Sequence, residues 1–295
     1  MASLLRRVKT KLAIHAHRTV RGLLDGEYTS VFHGRTIEFD DLRPYVAGDE
    51  PRDIDWKATA RHGTPLVRRY IASRKHTVLL LVDTGRNMAA LSASGETKSD
   101  IAIFAAGVTG YLALTHGDRV TLVAGNAEES VFHRPSSTEA HLERLLRSIE
   151  AATSLNAPPS DLTAQLAYVA RAFPKRMILL VIADDRELGD RERHLLRRLN
   201  AQHEILWLTV ADADLLEPEW ANKPMHDVAT TALLPEYLRS NRSLRAEFER
   251  TVTERQTRTR ALFRSLSISN QRITSSADVI PTLIRLLEVH RHARR

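Results

Sequence analysis

Two aspartates end the most apolar stretches of the chain. HTVLLLVDTGRNM, residues 76–88, runs through Val78 to Val82 without a break and reaches Asp83. MILLVIA, residues 177–183, reaches Asp184 and Asp185. Short aliphatic runs of this kind suit strands buried on both faces. A carboxylate at a strand's carboxyl end sits where open α/β sheets bind ligands. Two such carboxylates in one crevice, completed by hydroxyl or amide oxygens, make an oxygen cage suited to Mg²⁺. Thr84 and Asn87 follow the first aspartate, and Ser160 and Asp161 precede a predicted helix. The plainer alternative is that Asp83 and Asp184 cap neighbouring helices or accept bonds from backbone amides.

The elements that must hold these residues alternate. After the strand at 77–82, residues 98–116 carry Ile101, Phe104, Ala105, Val108, Tyr111 and Leu112 at helical spacing. Gly117-Asp118 turns the chain into the strand RVTLVAG, and SVFH is a short, antiparallel strand. Helices follow from Thr138 and from Asp161, then the strand at 177–183, a charged helix at 190–200 and a strand at 203–210. Residues 212–234 are irregular, with Pro218, Trp220 and Pro224. A long Arg-rich helix spans 236–266, ISNQRIT is a last strand and 279–290 a last helix. Strands separated by helices give parallel crossovers, so the fold class is α/β with a doubly wound, mostly parallel sheet. The first crevice of such a sheet lies between the strands ending at Asp83 and Asp184.

The front of the chain differs. Residues 3–24 read as a basic amphipathic helix stopped by Gly26. Residues 28–45 read as two short strands around a turn containing Gly34, and 64–71 as another strand. The expected organisation is an N-terminal helix with a small β-rich subdomain over 1–75, followed by the α/β domain over 76–295.

Composition narrows the functional classes. The 295 residues include no cysteine, which excludes disulfides, thiolate metal sites and Cys nucleophiles and fits a reducing compartment. No apolar run is long enough to span a bilayer and the amino terminus lacks a secretory pattern, so a cytoplasmic location is expected. Net charge is +7, concentrated in residues 1–24 and 239–264. Such stretches meet nucleic acid, acidic lipid or an acidic protein, or are solvated helix faces. Aromatics are only 5 % and no nucleic-acid-binding motif is present, which makes nucleic acid the lesser reading.

Arg43, Tyr45, Asp49, Arg52, Asp55, Trp56 and Arg61 lie in RPYVAGDEPRDIDWKATAR, residues 43–61. The arginines can pair with Asp49, Asp53 and Asp55, and Trp56 has a ring to bury and an N–H to satisfy. The block is either a polar clasp fixing the small β layer or a partner-binding surface. It resembles the signature of the bacterial domain-of-unknown-function 58 family, which that family places before a von Willebrand A-like domain. The order of later elements resembles the von Willebrand factor A fold. That fold's metal-ion-dependent adhesion site has Asp-x-Ser-x-Ser, a later Thr and a later Asp. The resemblance maps these onto Asp83, Gly85, Asn87, Ser160 and Asp184. Gly85 supplies no ligand atom, and Arg86 brings a cation beside the site, so the motif is degenerate and Mg²⁺ binding is the minor expectation.

Members of the family resemble partners of MoxR-type AAA ATPases. The resemblance implies a non-enzymatic adaptor or chaperone-like role, with the ATPase or its client as partner. No phosphate loop, nucleophile elbow or His-Glu-x-x-His helix is present. A two-metal phosphoesterase built on Asp83, Asp184 and Asp185 lacks the further ligands it would need. The expected contact is direct and charge-complementary, with Asp83 orienting Arg86.

Overall fold

A computed structural model describes residues 3–15, 18–33, 38–46, 48–71, 75–213, 225–230, 232–233 and 241–293. Gly34, Pro218, Trp220, Pro224 and the expected start of the long helix at 236–240 lie outside the described residues.

Strands β1 (Glu38–Pro44) and β2 (Leu66–Ile71) pair antiparallel in a sheet of their own. The main sheet contains β3 (Thr77–Asp83), β4 (Arg119–Gly125), β5 (Ser130–Ser136), β6 (Ile178–Asp184), β7 (Glu204–Val210) and β8 (Ser269–Ile273). Its order is β5-β4-β3-β6-β7-β8, parallel except for β5. The order reverses between β3 and β6, so Asp83 and Asp184 end adjacent strands, as the sequence predicts.

Successive side chains of a strand face opposite sides, and β3 divides its aliphatics accordingly. Val78, Leu80 and Val82 join one core with helices α1 (Leu4–His15), α4 (Lys98–Thr115), α5 (Glu139–Ala152) and α9 (Val279–Ala293). Leu79 and Leu81 join the other, with α6 (Leu162–Ala172), α7 (Asp190–Gln202) and α8 (Arg242–Ser265). Helix α4 is the central one, buried along most of its length. A Cβ at Gly107 would stand 2.6 Å from Val8 Cγ2, so the missing side chain is what lets α1 lie this close.

The amino-terminal segment departs from expectation. It forms two helices, α1 and α2 (Arg18–Tyr28), and α2 runs through Gly26. Residues 29–33 continue as a π-helical turn and not as a strand. Tyr28 and Phe32 explain this: at helical spacing their rings meet edge-on at 4.9 Å, both buried in the core. The Tyr28 hydroxyl donates to Asp118 Oδ2 at 2.8 Å, and burial holds its pKa well above the ordinary value. Glu143 on α5 receives the start of α1, accepting from Leu4 N at 3.0 Å and Leu5 N at 2.7 Å. A carboxylate there complements the helix dipole. Leu4, Leu5, Val8, Leu12 and Leu24 thus share the core of the main sheet, although the sequence groups them with the β-rich segment over 1–75.

Between β1 and β2 lie a 3₁₀ turn, Pro51–Asp53, and the short helix α3 (Trp56–His62). Asp55 caps α3, accepting from Lys57 N at 3.1 Å and Ala58 N at 3.0 Å.

Candidate functional site

The carboxyl ends of β3, β6 and β7 converge. Asp83 and Asp184 are buried, and Asp212 follows β7 by two residues. The cation that meets them comes from a fourth element. Lys98 opens α4 and is 1 % exposed. Its Nζ donates to Asp184 Oδ1 at 2.5 Å and to Asp212 Oδ1 at 2.5 Å. A positive charge in the first turn of a helix opposes the dipole, so the carboxylates must outweigh that term. Burial also acts against the charged lysine, yet the net effect of Asp184 and Asp212 is a raised pKa.

Asp184 is saturated. Its Oδ1 also accepts from Asp185 N at 2.8 Å, and its Oδ2 from Asn87 Nδ2 at 3.2 Å. Asp83 is different. Its Oδ1 accepts from Gly85 N at 2.9 Å, while Oδ2 is buried with no partner of hydrogen-bonding geometry. Thr84 Oγ1 and Ser160 Oγ are in the same position. Burial pushes the Asp83 carboxyl up to about 6, against the opposing pull of the Gly85 amide and the nearby Ser160 hydroxyl.

The structure therefore brings Asp83, Asn87, Ser160 and Asp184 together, as the sequence predicts. Gly85 matters to that meeting, because a Cβ there would stand 2.4 Å from both Ser160 N and Ser160 Oγ. Asp161 is committed elsewhere, capping α6 by accepting from Ala164 N at 2.9 Å. Arg86 is not the cation of the site: its amide donates to Pro158 O at 3.0 Å, and its Nε is buried without a partner. Lys98 and Asp212 were the residues missed. The available signal was a lone lysine opening an otherwise apolar helix.

These residues do not fit a hard divalent ion. Mg²⁺ wants about six oxygens in near-ideal geometry. Asp184 is spent on Lys98, the Asn87 amide turns its N–H toward Asp184, and Gly85 has no oxygen to offer. The unsatisfied oxygens of Asp83, Thr84 and Ser160 remain as hydrogen-bonding sites. Among the described residues, no group of three or more His, Asp or Glu side chains is placed to hold a metal.

The signature block is built otherwise. Arg43 and Asp49 form a bidentate pair at 2.7 and 2.6 Å, as expected, but inside the β1–β2 layer. The pair holds Asp49 below the usual carboxylate range. Tyr45 N donates to Pro65 O at 2.9 Å, and Asp55 N donates to Leu66 O at 2.8 Å. Trp56 is not buried; it is 66 % exposed. Arg61 is exposed on α3, and the side chain of Arg52 lies outside the described residues.

The chain is similar to several known proteins. Uncharacterized proteins Mb1516 of Mycobacterium bovis and Rv1480 of Mycobacterium tuberculosis are each 28 % identical over 255 residues, covering 82 % of this chain and 79 % of theirs. A von Willebrand factor type A protein from Catenulispora acidiphila aligns over 73 % of this chain and 42 % of its own, at 12 % identity and a TM-score of 0.41. An aerotolerance-related membrane protein from Bacteroides fragilis aligns over 72 % and 98 %, at 14 % identity and a TM-score of 0.44. Among the described residues of the present chain, no helix is long and apolar enough to cross a membrane. The model of the protein family of unknown function DUF58 matches residues 41–258, and the chain belongs to that family.

Proposed function

We propose that this protein is a non-enzymatic adaptor that docks on a MoxR-type AAA ATPase or on that ATPase's client. The observation that carries the reading is the exposure of Trp56. Val46 is 62 % exposed and Tyr45 40 %, and the backbone bonds of Tyr45 and Asp55 to Pro65 and Leu66 put them and Trp56 on either side of β2 at one end. Exposed aromatics beside paired arginine are the composition of binding hot spots. Leu91 and Leu155, also exposed, stand on the loops after β3 and before α6, a second apolar feature beside the crevice. With Lys98 holding Asp184 and Asp212, the crevice acts as a fixed frame and needs no bridging ion.

Co-purification with a MoxR-type ATPase tests this. The wild type co-elutes and alters the ATPase rate, and chelation by EDTA leaves the complex intact. Trp56→Ala loses the complex while keeping its unfolding midpoint. Absence of both co-elution and a rate change for the folded wild type would sink the reading.

A further inference from the structure

The Arg-rich helix has no part in that reading, and its charges are unevenly matched. Along it, Arg250 lies 3.8 Å from Glu247 and 3.9 Å from Glu254, and Arg258 lies 3.2 Å from Glu187. Arg260 and Arg264 are exposed and have no ion pair among the described residues. They form one wall of a groove of about 690 Å³ whose other side is β8, with Asn270, Gln271 and Arg272. Among the described residues Asp185 is its one lining carboxylate, and Arg272 at 3.1 Å and Arg255 at 3.7 Å already engage it. The groove therefore carries uncompensated positive charge. β8 ends the strand order, so among the described residues one of its edges has no strand partner. Ser267, with φ of 54°, holds the left-handed position after α8 where glycine is usual, and lines the groove.

We propose that this groove binds an extended acidic peptide segment of a protein partner, laid along the free edge of β8. Spacing favours it. Arg260 and Arg264 are one turn apart, about 6 Å along the helix. Alternate residues of a strand are about 6.6 Å apart, so acids at every second position meet both arginines. The strand's backbone would pair with β8, giving sequence-tolerant affinity, while the arginines select charge. Nucleic acid fits less well, because the groove's aromatic ring, Phe263, is buried against Trp207 and offers no stacking platform. The groove meets the crevice at Asp185, whose neighbour Asp184 is held by Lys98.

The test uses the full chain alone and is independent of any ATPase. Fluorescence anisotropy follows a labelled peptide of alternating glutamate and valine, and an oligothymidylate of equal charge. The peptide is expected to bind in preference to the oligonucleotide and to slow amide exchange across 269–273. The double variant Arg260→Glu/Arg264→Glu should weaken peptide binding by about tenfold or more. Arg242→Glu/Arg250→Glu, with the same charge change on the same helix, should leave it unaltered. Preference for the oligonucleotide, equal loss in both variants, unchanged exchange at β8, or no peptide binding at millimolar concentration would each overturn the proposal.

Discussion

The crevice and the signature layer each contain a cation clasped by carboxylate, and the two pairs do opposite work. Lys98 and Asp184 are 1 % and 7 % exposed, and their partners come from residues 86 and 114 positions away. Arg43 and Asp49 are 42 % and 18 % exposed and six residues apart. Water screens the second pair and shapes it little energetically, so it fixes a local turn. In the first, each charge depends on the others remaining in place, since an unpartnered buried charge is strongly unfavourable. The same chemistry therefore ties the ends of β6 and β7 to the start of α4 in one region and fixes a local turn at the surface in the other.

Breaking the buried side should have the largest effect. Lys98→Met leaves Asp184 and Asp212 facing each other without their shared cation and should cost about 3–5 kcal/mol in urea unfolding. A loss within the range of ordinary surface substitutions would mean that Asp184 relaxes to solvent. Asp83 sharpens the contrast through pH. Its folded pKa of about 6 exceeds its ordinary value of 3.8, so the folded state keeps a proton that the unfolded chain releases. Its contribution is fully present below the unfolded pKa and is lost as pH rises through about 6. The stability of the wild type relative to Asp83→Asn should therefore fall by about 2–3 kcal/mol between pH 4 and pH 7. A difference flat across that window would remove the raised pKa. The smallest effect belongs to the exposed side: Arg43→Ala should leave the unfolding midpoint where it is. A clear drop would show that the signature layer is tied to the body after all.

Much of the crevice was legible because its geometry follows from strand pattern alone. Val78 to Val82 could only be a strand covered on both sides, and once β6 lay beside it, Asp83 and Asp184 had to be neighbours. Ser160 and Asn87 followed from loop position. Lys98 did not, because a lysine's reach is invisible until the helix is placed, and Asp212 is remote in sequence. The TSVF segment, rich in strand-forming types, misled for a related reason: its ring at Phe32 answers Tyr28 four residues earlier, and tertiary packing of that pair decides the backbone. Trp56 was expected inside because of its size. It is exposed at the start of α3, a seven-residue helix with no buried residue.

The tight seat at Gly85 also limits what this corner of the sheet can accept. A Cβ there would stand 2.4 Å from the backbone nitrogen of Ser160, so even alanine requires the loop that carries Pro158 and Ser160 to move outward. Lys98, whose ammonium holds Asp184, constrains the same corner from the other side. The two seats are tolerant of substitution only in concert: a larger residue at 85 calls for a compensating change in the 158–160 loop, and a change at 98 calls for one at 184 or 212.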